Sequence, residues 1–357
     1  MAAATSSPGY HSVKSLAELF GRATWSFVTA KNQHLWPVLN ETLLVFEGMT
    51  HNLQDDWGSN PWVDVQTEEE IPEPARDTLT QAWGVLKSVL FATVMVQQSV
   101  ITAVTYLPQA SAKFVPPLEP NVTPASLALL TLQTLSNLSF VITKFGGVSS
   151  TARTSVFPQL RRLFYSALDV LSTDQAASEK FVINLCQTVK RNAASSKASK
   201  TMESAKAAFS LACIEQLVPS VCEERVQTRI LDLCIPYVIY RSICRFTNNA
   251  SSRNLWDHED REVYESSHSV VLALLAAHAQ RIGDGLGTAP TTEMGPNMNP
   301  KWEGKGKATA VERPLAERIV PFYTNCLLEV RSTLQSCASW LTYPCCLPFV
   351  SLPSLPP

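Results

Sequence analysis

The stretch "NVTPASLALLTLQTLSNLSFVITKFGG", residues 121–147, carries every mark that confines a segment to an α-helix. Thr123 stands where an N-cap hydroxyl serves. Pro124 takes the first helical position, where a missing N–H costs nothing, and Gly146 falls near the C-cap. The same punctuation recurs along the chain. Pro37 precedes "VLNETLLVFEGM", and Pro74 opens a long stretch that reaches Leu107 and stops at Pro108. In "SVKSLAELFGRATWSFV" the apolar residues Val13, Leu16, Leu19, Phe20, Ala23, Phe27 and Val28 follow the three-to-four spacing of a helix face.

The pattern continues through "FPQLRRLFYSALDVLS", "TDQAASEKFVINLCQTVKR" and "SKTMESAKAAFSLACIEQLVP", and Ser220 with Glu223 reads as a capping box. Strand signals are nearly absent. Together the segments predict an all-α fold of about eleven helices joined mostly by short connections, as in stacked antiparallel pairs. No fixed repeat period holds along the chain, which excludes tetratricopeptide and ankyrin consensus readings. The expectation is an irregular, solenoid-like helical-repeat stack.

Composition shifts divide this stack. Residues 1–11 read as a disordered N-terminus and 12–282 as the helical scaffold. The scaffold is interrupted by an acidic loop at 54–73, "QDDWGSNPWVDVQTEEEIPE", and a basic, Ser/Ala-rich linker at 190–201. Residues 283–313, rich in Gly, Pro and Lys, read as a disordered linker before a final helix at 314–335. An uncharged, irregular tail fills 336–357.

Charge excludes several partner classes. Only 17% of residues are charged and the formal net charge is −2, so no field draws the chain to nucleic acid or anionic lipid. Nine cysteines form no C-x-x-C pair. Cys186, Cys213, Cys222, Cys234 and Cys244 fall in apolar helical stretches, where a free thiol behaves as a small hydrophobe. This usage points to a reducing origin. The N-terminus lacks the apolar core of a secretory signal, so the sequons at Asn40, Asn121, Asn137 and Asn249 read as chance matches. Val89–Leu107 and Ala125–Thr143 are each 19 residues without a charge, near membrane-spanning length. Gln97-Gln98 in the first, and scattered Thr, Ser, Asn and Gln in the second, favour buried helices of a soluble core.

The chemistry-bearing residues do not assemble into a catalytic constellation. Glu265 and His268 in "VYESSHSVVLALLAAHAQR" make the E-x-x-H step of a di-iron bundle, but none of His11, His34, His51, His258 or His278 has a glutamate three positions earlier. His258, Glu262 and Glu265 share one helix and close no cage. His268 and His278 lie about 80° out of phase at ~3.6 residues per turn. "SVVLALLAAHA" is apolar on every side and predicts a helix buried between neighbours. No phosphate loop, nucleophile elbow, dinucleotide turn or zinc-protease motif occurs, and "GDGLG" at 283–287 reads as loop. The sequence thus assigns no catalytic, cofactor or metal residue, and the chain is expected not to be an enzyme. The acidic loop is the candidate partner-binding element, through exposed Trp57 and Trp62 beside Glu68, Glu69 and Glu70.

Five segments carry a resemblance: "SLAELFGRATW", "LWPVLNETLLVFEG", "RRLFYSALDVLS" (161–172), "VYESSHSVVLALLAAHA" (263–279) and "IVPFYTNCLLE" (319–329). Spread over residues 12–335, they resemble the fungal peroxin-8 family of peroxisome biogenesis. The resemblance implies a non-enzymatic organiser on the luminal face of the peroxisomal membrane, held there peripherally. It implies other peroxins as partners: the docking complex, the RING complex and the import receptor, from which cargo is released. Stacked helices suit that role, since they present long surfaces to several partners. A general helical-repeat adaptor of the cytosol or nucleus is the competing class. None of the eight tryptophans has Phe or Tyr four positions later, which argues against an import receptor itself.

Two features depart from the family. The chain ends Leu355-Pro356-Pro357, which is no peroxisomal targeting tripeptide, and no N-terminal targeting nonapeptide is present. From Ser332 to Pro357 there is no charged residue, and five prolines forbid a continuing helix. The abrupt change reads as sequence that is not normally coding, with acylation of Cys345 and Cys346 as the functional alternative.

Overall fold

A computed structural model describes residues 15, 18–24, 26, 35–65, 70–105, 122–148, 157–194, 199–222, 226–235, 258–283, 320 and 324. The described residues form an all-α helical stack without strands. In chain order its elements are α1 (Leu35–Gly58), α2 (Glu73–Thr105), α3 (Pro124–Asn137), α4 (Ser139–Thr143) and α5 (Pro158–Ser172). After these come α6 (Gln175–Ala194), α7 (Lys200–Leu217), a 3-10 turn (Val218–Ser220), α8 (226–235) and α9 (His258–Gly283).

Local chemistry sets the helix starts. Thr123 is extended, at φ −123° and ψ 161°, and its hydroxyl accepts from Ser126 N–H at 3.1 Å while Thr123 N–H donates to Ser126 Oγ at 2.8 Å. This is a reciprocal capping box, and Pro124 follows it in the first turn. Asp174 does the same work for α6, its carboxylate accepting from Ala177 N–H at 3.0 Å. The helix expected to run unbroken towards Gly146 is divided at Leu138, whose N–H reaches back to Thr134 and Leu135 carbonyls in a tightened turn. Gly146 and Gly147 then reverse the chain at φ 87° and 70°.

The packing runs in two tiers. In the first, α1 lies on α3, α3 on α5, and α5 on α2. Leu160, Leu163, Phe164, Ala167, Leu168 and Leu171 line the inner face of α5 at helical spacing, with Arg162 and Asp169 outside. In the second, α7 packs against α4, α6 and α9. Its residues Ala207 to Ile214 are buried without interruption. The run of Ala, Ser and Cys in that stretch lets neighbouring helices approach closely from several sides.

This arrangement corrects one expectation. The helix enclosed on every side is α7; α9 leaves Leu272 at 53% exposure and Ala276 exposed. Uniform apolarity did not require uniform burial: α9 buries Val263, Ser266, Ser267, Val270, Val271, Leu274 and Ala277, the side from which α7 and the 3-10 turn pack on it.

Helix α2 is long and apolar enough to cross a membrane by length and composition, and 44% of its most apolar window is buried inside the protein. Thr93 and Gln97 lie fully buried on it, within the tier it shares with α5. Ala125–Thr143 is occupied by α3 and α4, almost wholly buried.

Two boundaries differ from expectation. The first five residues of the acidic loop, Gln54 to Gly58, form the last turn of α1, drawn into the helix by the burial of Trp57. The basic linker is shortened from both ends, since α6 continues to Ala194 and α7 begins at Lys200. Ser220 closes the 3-10 turn instead of capping an adjoining helix, and Glu223 lies outside the described residues. The segments 1–11, 284–313 and 336–357 also lie outside them, and within the expected 314–335 helix Val320 and Thr324 are described, both helical and exposed.

Candidate functional site

The acidic loop joins the two tiers. Trp57 is not exposed as its position in that loop predicted: it is 9% exposed, with its ring 4.9 Å from Trp83 in an edge contact and 5.8 Å from Phe140 in a stack. An aromatic in the last turn of α1 thus fills the gap between α2 and α4, a core role that removes it from any partner surface. Trp62 stays half-buried in a turn where its N–H binds the Asn60 side chain at 2.9 Å. Glu70 is exposed at the far end of the loop, and Glu68 and Glu69 lie outside the described residues. Arg76 holds that end by donating to Ile71 carbonyl at 2.9 Å.

Asp64 does what the sequence did not announce. Its Oδ1 accepts from Ser199 Oγ at 2.5 Å and from Thr201 N–H at 3.1 Å, so the loop carboxylate sits on the N-terminus of α7. Ser199 is at the same time the N-cap of α7, accepting from Met202 N–H at 3.2 Å. Partial desolvation raises the Asp64 carboxyl, but the Ser199 and Thr201 hydrogen bonds and the nearby Lys200 charge outweigh it and hold the group below its ordinary value.

Two further charges line this junction. Desolvation, reinforced by the Asp64 charge, pushes Glu203 up. Burial pulls Lys206 down against the opposing influence of Asp55, and its ammonium donates to Gln54 Oε1 at 3.3 Å. The junction is therefore a polar seam between α1, the loop and α7.

The second tier is closed by a shared acceptor. Val221 carbonyl receives Gln227 Nε2 at 3.0 Å and the Arg281 guanidinium, which ties α8 and the end of α9 to the 3-10 turn. Cys222 N–H donates to Glu179 Oε1 at 3.1 Å, adding α6.

The histidine helix is a packing element. His268 meets the Tyr264 ring one turn away in an edge contact at 4.4 Å, and Ser267 is buried with its hydroxyl on Val263 carbonyl at 2.8 Å. Among the described residues no group of three or more His, Cys, Asp or Glu side chains could hold a metal ion. Cys186, Cys213 and Cys234 are buried, and desolvation raises all three thiols, Cys186 to about 11. Such thiols stay protonated at neutral pH and pack as hydrophobes. Cys222, expected in an apolar helix, is exposed in the connection after the 3-10 turn, and Cys244 lies outside the described residues.

Residues 178–276, from the first turn of α6 through most of α9, match the family model described as the PEX8 central TPR-like domain. No curated protein and no solved structure matches the chain.

Proposed function

We propose, from the peroxin-8 assignment that residues 178–276 support, that this chain is a non-enzymatic adaptor of peroxisomal matrix-protein import. The observation that carries this reading is the position of the matched segment. It spans α6, α7 and most of α9, the tier built around the fully enclosed helix. Stacked helices of this kind offer long surfaces to several partners, as an organiser requires.

The assignment implies the peroxisome and a role beside other peroxins. The finer reading is a peripheral protein on the luminal face of the membrane that bridges the docking and RING complexes and helps release cargo from the import receptor. Within the acidic loop, this reading takes half-buried Trp62 and exposed Glu70 as partner-binding residues, with Glu68 and Glu69 between them in sequence. Trp57 takes no part, since it belongs to the core.

Deleting the gene and following a fluorescent matrix cargo tests the proposal. The expected result is cargo left in the cytosol and restored to peroxisomes by the full chain. Normal import in the deletion strain would overturn it.

A further inference from the structure

Helix α1 has two faces of opposite character. Leu39, Leu43, Thr50 and Trp57 point inward and are buried. On the other side Val38, Leu44, Val45 and Met49 stand in solvent, Val45 at 65% exposure. Val38, Val45 and Met49 repeat at seven- and four-residue steps, which puts them in one stripe.

Gly48 lies inside this patch, flanked by Leu44 and Val45 one turn before it. A glycine within a helix costs roughly 0.5–1 kcal/mol relative to alanine. Nothing inside the protein requires that cost, because a Cβ built at Gly48 would meet no atom within 4 Å. The missing side chain leaves a notch in the outer face, of the kind that admits a large side chain or a close helix crossing.

The charges that α1 itself carries have one sign. Helix α1 carries Glu41, Glu47, Asp55 and Asp56 and no lysine or arginine. Glu41 sits one turn before Val45, and the two aspartates occupy the C-terminal end, where the helix dipole disfavours anions. Asp55 is partly offset by Lys206 of α7, and the Glu47 carboxylate turns to the Asn137 amide of α3 at 3.5 Å, which leaves Glu41 and Asp56 to set the field.

The geometry points to a docking groove on the outer face of α1 for an amphipathic, basic helix of a partner protein. Its apolar stripe would lie along Val38, Val45 and Met49, a large side chain would seat at Gly48, and its lysines or arginines would meet the acidic rim. Charge decides among occupants. A second copy of α1 would bring carboxylates against carboxylates, and an anionic membrane surface would repel the same rim. The inference does not rest on the peroxisomal reading, because purified protein suffices to test it.

The test titrates the full-length chain into a fluorescein-labelled synthetic helix bearing a leucine stripe flanked by lysines. A counterpart with glutamates in place of lysines is the control. The lysine peptide is expected to raise anisotropy at saturation, with affinity falling as salt increases, while the glutamate peptide does not bind. Gly48→Leu, which fills the notch, and Val45→Gln, which wets the stripe, each weaken binding by about tenfold or more. Circular dichroism and denaturation midpoints of both variants check that they remain folded. Absence of binding, equal binding of the two peptides, or unchanged binding by folded Gly48→Leu overturns the proposal. So does dimerisation of the chain, or uptake onto phosphatidylcholine vesicles, that Val45→Gln abolishes.

Discussion

The Asp64 carboxylate accepts a 2.5 Å hydrogen bond from the Ser199 hydroxyl, joining residues 135 positions apart. Ser199 spends its lone pairs on the first turn of α7 and its proton on Asp64, so one hydroxyl both caps a helix and receives a loop. The N-terminal helices are fastened in this way to the tier that contains the matched segment.

Asp64→Ala is expected to lower stability by about 1–2 kcal/mol, the range for a lost cap and its charge-assisted hydrogen bonds. The pH dependence has a definite sign. Because the folded-state value of Asp64 is depressed, its contribution is present above the ordinary carboxylate value and is lost as pH falls through the depressed one. Denaturant melts of wild type and Asp64→Ala should therefore converge in acid. A constant gap at all pH values would show that the carboxylate charge is irrelevant.

Glu203 titrates in the opposite sense. Its Oε1 is buried with no hydrogen-bond partner among the described residues, and desolvation together with Asp64 raises its value. Stability from such a group is fully present below its unfolded value and declines as pH rises through the folded one. Glu203→Gln should raise stability at neutral pH by on the order of 0.5 kcal/mol, and the gain should disappear below about pH 4. Thermal melts at the two pH values measure it.

Trp57 and Trp62, five residues apart in one acidic segment, should behave differently. Trp57→Ala removes a ring packed against Trp83 and Phe140 and is expected to cost about 3–5 kcal/mol. Trp62→Ala, at a half-buried turn position, should cost about 1 kcal/mol. Equal losses in chemical denaturation would contradict the core assignment of Trp57.

Gly147 is constrained twice. Its φ of +70° is strained for any side chain, and an added Cβ would run into the Glu262 carboxylate of α9. Gly147→Ala is expected to lose about 1–2 kcal/mol from backbone strain alone, plus the cost of displacing Glu262. In the double variant with Glu262→Ala the clash is removed and the backbone cost remains. A double-mutant cycle in urea separates the two. Full recovery in the double variant would place the whole effect on the side chain.

Much of the fold was legible in the sequence because helix formation is local. The Thr123–Ser126 capping box acts within three residues, Pro158 opens α5 from the first turn, and the inner face of α5 repeats at a period set by helix geometry. Any neighbour would have served those segments equally well. The peroxin-8 resemblance agrees with the family match over residues 178–276.

The remainder depended on which segments meet. That α7 and not α9 is enclosed follows from its having α4, α6 and α9 around it, and no property of "SVVLALLAAHA" taken alone reveals how many sides acquire a neighbour. Trp57 became core because α2 brought Trp83 to it and α4 brought Phe140. Asp64 became a clamp because α7 begins beside it, and a Cβ at Gly147 would displace the Glu262 carboxylate that lies across it. Helix identity, the Thr123 cap and the inner face of α5 were thus determined by the sequence alone, through interactions that span a few residues. Burial, long-range hydrogen bonds and the open face of α1 were decided by the tertiary structure, because each is a relation between surfaces that come together only on folding.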